Sequence, residues 1–140
     1  MGFGNLGYRH FQSLLSENNE AKFHIVEPIK TNIQNFIEKD YNFSTIENNI
    51  TISDSLKSFK NIKFKVCIVS TTSKPRLNIL SELLEFDIKI IILEKLLFPS
   101  IKDYEKISPK INSIKQNIYV NCPKTEYLIY QRIKNFIMKE

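Results

Sequence analysis

The sequence predicts an α/β fold: a doubly wound parallel sheet flanked by helices, with its first strand missing. Three observations lead there. Apolar residues alternate between helical and strand spacing along the whole chain. Two runs, 66–69 and 90–93, are continuously apolar, as in strands buried on both faces. The chain also opens on Gly2-Phe3-Gly4-Asn5-Leu6-Gly7, glycines spaced GxGxxG that run straight into a helical pattern. Strands and helices in such alternation join by right-handed crossovers.

The elements follow in order. Leu6, Phe11, Leu14 and Leu15 lie near one face of a helix over 6–16. A strand over 21–27 ends at Glu27, and Pro28 stops it. The next helix, over 31–39, turns Ile33, Phe36 and Ile37 inward. A short strand covers 50–52, and Asp54 is placed to cap a brief helix through Phe59. A strand over 64–70 leads into the polar loop Ser70-Thr71-Thr72-Ser73. Pro75 then sits at a helix start, where its missing N–H is harmless. That helix buries Leu77, Leu80, Leu83 and Leu84. A strand over 89–93 ends in Glu94-Lys95. Pro99 and Ser100 open a helix that Ser108-Pro109 is expected to restart. A last strand covers 118–120, and a terminal helix over 127–138 turns Tyr130, Ile133 and Ile137 inward.

With 140 residues, the chain is long enough for one domain. We assign 1–121 to a nucleotide-binding unit and 122–140 to a helix leading onward. The net charge of +5 raises nucleic acid as a partner, but the lysines are scattered and form no block that would track phosphates. Cys67 and Cys122 lack any metal-ligand spacing, so a reducing, cytoplasmic setting is expected. The most apolar stretch, 88–98, is too short for a bilayer and holds Lys89, Glu94 and Lys95, so no membrane is expected.

The glycine turn carries the functional reading. Gly2 would make a tight turn, Gly4 would let a pyrophosphate approach, and Gly7 would let helix and strand pack closely. Asn5 and Leu6 would offer first-turn N–H groups. Glu27 follows about 20 residues on, where a carboxylate accepts from ribose hydroxyls; the combined spacing favours that reading over a solvated strand end. A carboxylate there repels a 2′-phosphate and favours NAD over NADP, a preference that Lys30 weakens. Ser70, Thr71 and Thr72 end a central strand, where they either touch a cofactor or simply lead into a helix. Lys95 is a solvated strand-end lysine or a proton-exchanging group beside a dry crevice. His10 and His24 are isolated, and no cluster suggests a metal.

Together, Gly2, Gly4, Gly7 and His10, the acid Glu27, Thr71 and the Glu94-Lys95 pair resemble the nucleotide-binding domain of the Gfo/Idh/MocA oxidoreductases, relatives of glucose–fructose oxidoreductase and inositol dehydrogenase. The resemblance implies a Rossmann-like fold. It also implies NAD as cofactor and hydride transfer to or from a sugar or polyol hydroxyl carbon. Lys95 would then help move the hydroxyl proton, and Glu94 would belong to the cofactor site. Thr72 and Leu96 stand where the family has prolines, and Arg76 where a histidine is common. A cis bond before leucine costs about 2.5–4 kcal/mol, so a trans Lys95–Leu96 bond is expected. The resemblance further implies a chain short of its first strand and of a substrate domain, with no turnover by itself. The alternative is a non-catalytic Rossmann-like module that dimerises through open strand edges or its last helix.

Overall fold

The computed structural model describes residues 1–18, 20–37, 47–123 and 127–138. It is a mixed α/β molecule of parallel-strand sheets flanked by helices. In chain order come α1 (Asn5–Glu17), β1 (Phe23–Val26), α2 (Lys30–Ile37), a one-turn 3₁₀ helix (Glu47–Asn49) and β2 (Ile50–Ser53). A second 3₁₀ turn (Leu56–Phe59), β3 (Phe64–Val69), α3 (Arg76–Leu83) and β4 (Ile88–Glu94) follow. The chain continues with α4 (Ile101–Asn112), β5 (Asn117–Asn121) and α5 (Leu128–Ile137).

The strands form two sheets rather than one. β1 pairs with β2 in parallel, Ile25 opposite Ile52. β3, β4 and β5 form the other sheet, also parallel, with Val69 opposite Leu93 and Leu93 opposite Val120. β1 and β3 do not pair with each other. Among the described residues, Met1 hydrogen-bonds to β3 and its following loop, and Gly2 to β1. The Met1 amine donates to Ile68 C=O at 2.7 Å, Ser70 N–H donates to Met1 C=O at 2.9 Å, and Gly2 N–H donates to Val26 C=O at 3.0 Å.

The larger core gathers Val69, Leu80, Leu83, Ile91, Leu93 and Ile107 under β3 and β4. The two runs that read as buried on both faces are so only in part: in 66–69 Val69 is buried while Val66 is exposed, and in 90–93 Ile91 and Leu93 are buried while Ile90 and Ile92 are half-buried. A smaller cluster of Phe3, Phe11 and Ile25 sits under α1, with Tyr8, Phe23 and Phe36 against it. Phe3 and Phe11 meet edge-on at 5.6 Å, and Tyr8 stacks on Phe36 at 4.8 Å. Such offset and edge contacts suit the ring quadrupole.

Several local expectations are corrected. Leu6 and Leu14 are exposed, because Phe3 and Tyr8 fill the space beside Phe11. Ser55, not Asp54, caps the second 3₁₀ turn; its hydroxyl accepts from Lys57 N–H. α4 runs through Pro109 without restarting. The bond lost at Pro109 would have gone to the carbonyl of exposed Glu105, which water can reach. Ser100 does cap α4, accepting from Asp103 N–H. Tyr130, Ile133 and Ile137 of α5 are exposed, because no described element packs over that helix. The expected end of α2 at Lys39 lies outside the described residues. No described helix is long and apolar enough to cross a membrane.

Candidate functional site

The glycine turn lies at the C-terminal ends of β1 and β3, and each glycine has its own steric reason. Gly2 has φ +78°, a conformation that L side chains rarely adopt. A Cβ on Gly7 would fall 1.9 Å from the Gly2 carbonyl oxygen, so α1 can approach the turn only with glycine there. A Cβ on Gly4 would meet nothing within 4 Å. Gly4 is the N-cap of α1 and offers no side-chain cap. The first turn of α1 therefore has no side-chain cap, and its residues Asn5 and Leu6 are exposed while Gly7 is buried.

Glu27 is drawn into this turn. It is 6% exposed. One carboxylate oxygen accepts from Phe3 N–H at 2.6 Å, the other from Ile29 N–H at 2.9 Å. The N–H between Gly2 and Gly4 is thus held by the acid at the end of the next strand. Among the described residues, these two backbone N–H groups occupy two of the carboxylate's roughly four acceptor positions. Glu27 also lines a cleft of about 440 Å³ at the ends of β1 and β2, with Lys30, Ile33, Ile52, Ser53 and Asp54.

On the other side, Ser70 ties the loop after β3 to the turn. Its hydroxyl lies 3.0 Å from Gly2 C=O and 3.1 Å from Met1 C=O. Thr71 is half-buried and its hydroxyl has no hydrogen-bond partner, while Thr72 is exposed. Arg76, in the position where the family resemblance leads one to expect histidine, is 2% exposed. Its guanidinium donates to the carbonyls of Thr71, Glu94 and Leu96, clamping the loops after β3 and β4 together. Burial lowers its pKa, and Glu94 opposes that shift.

Glu94 faces inward and Lys95 outward. The Glu94 carboxylate is buried and takes hydrogen bonds from His10 Nε2, at 2.7 Å, and from Asn121 Nδ2. Lys95 is exposed at the same strand end. The Lys95–Leu96 peptide bond is cis, contrary to the trans bond expected; the Arg76 guanidinium holds the carbonyls on either side of it.

No family model, no curated protein and no solved structure matches this chain.

The structure therefore brings Gly2, Gly7, Ser70 and Thr71 into one turn, with Glu27 against Phe3. It sets Gly4, Asn5 and Leu6 on the open side, and Lys95 on the far side of Glu94. The roles of Arg76 and Asn121 were missed in sequence because their contacts span loops. His10 carried a signal in the spacing from Gly7, but its partner lies 84 residues away.

Proposed function

We propose that the chain is a dinucleotide-binding unit, a Rossmann-like sheet in the order β2-β1-gap-β3-β4-β5, and that NAD is its ligand. The observation that carries the reading is the open flank of Gly4, where uncapped first-turn amides of α1 lie beside a buried Glu27. A diphosphate placed there gains the helix N-terminus and several N–H donors. The cleft lined by Glu27 and Asp54 suits the adjoining ribose. Two carboxylates against one lysine favour free hydroxyls over a 2′-phosphate.

The bound nicotinamide would supply hydride chemistry. The chain's own residues would bind, orient and exclude water: Gly4, Asn5 and Leu6 at the diphosphate, Glu27 at the ribose, and Ser70, Thr71 and Thr72 along the nicotinamide side. Glu94 would act from inside the fold by fixing His10 and Asn121 rather than by touching the ligand. Lys95 is the group free to exchange a proton with a sugar or polyol hydroxyl. The substrate class rests on the family resemblance, and this chain alone is expected not to turn over. Calorimetry with NADH tests the reading. Measurable heat that is lost in Gly4→Val, with NADPH weaker, supports it. No heat at high protein concentration defeats it.

One observation favours a second reading, a non-catalytic interaction module: α5 exposes Leu128, Ile129, Ile133, Phe136 and Ile137. Light scattering distinguishes the two. Dimers that form without NAD and vanish when α5 is removed support the module.

A further inference from the structure

We infer that two copies of this chain join at β5, the two strands pairing antiparallel about a two-fold axis at Tyr119. The inference rests on the interaction-module reading for there being a dimer, and adds where its axis lies. The sequence of the strand supplies the first argument. Asn117-Ile118-Tyr119-Val120-Asn121 has the same pattern in both directions. Paired antiparallel about Tyr119, it sets Asn117 opposite Asn121, Ile118 opposite Val120 and Tyr119 opposite itself. A two-fold interface needs such self-complementarity, because one patch serves on both sides. Moving the axis by one residue, to Ile118 or to Val120, sets Tyr119 against an asparagine and loses the match. The match is a property of these five residues alone.

The backbone supplies the second. Among the described residues, β5 pairs with β4 and with no other strand. Successive residues of a strand direct their N–H and C=O groups to opposite sides. β4 takes one set, and the other set faces outward. Antiparallel pairing engages that outward set in about four to six main-chain hydrogen bonds, depending on which residues it contains. The three-stranded sheet of each copy then continues into that of the other.

The surface supplies the third. Tyr119 is 56% exposed and Val120 42%. Edge strands are commonly kept single by charges or proline, and 116–122 holds neither. Each chain carries a net charge of +5, yet in this register Lys115 falls opposite Pro123 rather than opposite a lysine. Aromatic and β-branched residues facing one another favour strand pairing. A pair of five-residue strands covers less than the roughly 1,200 Å² of a stable interface. α5 begins seven residues after Asn121 and supplies the rest through its exposed Leu128, Ile133 and Phe136.

The test follows the full chain by sedimentation equilibrium without NAD, where a reversible monomer–dimer equilibrium is expected. Tyr119→Lys and Tyr119→Glu each set like charges face to face at the axis, and each should raise the dimer Kd at least about tenfold. Mixed one to one, the two variants should form a heterodimer about as tight as the wild-type dimer, because a lysine then faces a glutamate. Circular dichroism should stay unchanged, since Tyr119 is more than half exposed. Should a variant unfold, the wild type gives a second readout: exchange of the 117–121 amides slows as concentration rises through the dimer Kd, while exchange in β2 does not. A chain that is monomeric at millimolar concentration, or no rescue on mixing, would overturn the inference. So would a dimer lost in Ile52→Lys, on the edge of β2, and kept in Tyr119→Lys. A dimer that survives Tyr119→Lys but vanishes without α5 overturns it too, and leaves the interaction-module reading standing. NADH calorimetry on the same protein reports separately on the dinucleotide reading.

Discussion

At the scale of single residues, Gly4 and Gly7 are close in sequence and opposite in constraint. An alanine at 7 must displace the Gly2 carbonyl, a backbone atom with nowhere to go. Gly7→Ala should cost about 1–3 kcal/mol or more, as overpacking does. Gly4→Ala meets open space and should cost under about 1 kcal/mol, the loss of a good N-cap residue. Urea denaturation of both separates the packing glycine from the open one, and equal losses would contradict the geometry. Glu27→Gln is expected to lose about 2–3 kcal/mol, because the amide group sets a donor against an N–H that needs an acceptor. Stability should also follow pH with a defined sign. Burial lowers the pKa of the Met1 amine, so between its folded value and about 8 the unfolded chain binds more protons, and stability rises with pH. His24, pushed down by burial and by Lys22, adds the same sign below about 6.5. Burial raises the Cys67 thiol, which takes stability away above about 9. The urea midpoint should therefore climb to a maximum at about pH 8–9, and Met1 acetylation should flatten the climb above about pH 7. A midpoint that falls between pH 7 and 8 would reject this assignment.

At the scale of elements, α3 and α5 are opposites. α3 buries Leu80 and Leu83 and begins at Arg76, whose guanidinium gathers carbonyls from two loops. A lysine has one compact ammonium on a flexible stem and cannot span that fork. Arg76→Lys is expected to cost about 2–4 kcal/mol through carbonyls left without a donor, and to perturb amide shifts in the loops after both β3 and β4. Shifts confined to α3 would mean that the clamp does not operate. α5 is amphipathic in sequence, so its apolar side reads as inward, yet periodicity identifies a face without naming what covers it. In the fold that face meets solvent. Ending the chain after Pro123 should therefore change unfolding free energy by no more than about 0.5 kcal/mol. A larger loss would show that α5 packs on the rest of the chain.

At the scale of the whole molecule, the α/β alternation and the two apolar strands were legible because they depend on local periodicity. The turn was legible because glycine is the residue type whose steric role spacing reveals. What stayed hidden depended on distance in sequence: Arg76 reaching Leu96, His10 reaching Glu94, and Glu27 turning its carboxylate onto Phe3 N–H. The division into two sheets was half visible, since a missing strand implied open edges but not the way Met1 and Gly2 bridge them. That division has a consequence for opening. The β3-β4-β5 sheet lies over the larger core, whereas β1 and β2 share the smaller aromatic cluster and reach the other sheet through Met1, Gly2 and side chains such as Val26 and Phe59. Val26 places β1 partly in the larger core, but units with separate ladders and only partly shared cores still open at separate free energies. Native-state hydrogen exchange should give Ile25 and Ser53 amides an opening free energy at least about 1 kcal/mol below that of Ile91 and Leu93. One common value in the chain by itself would mean that the sheets already open as a single unit and that the gap is not a seam.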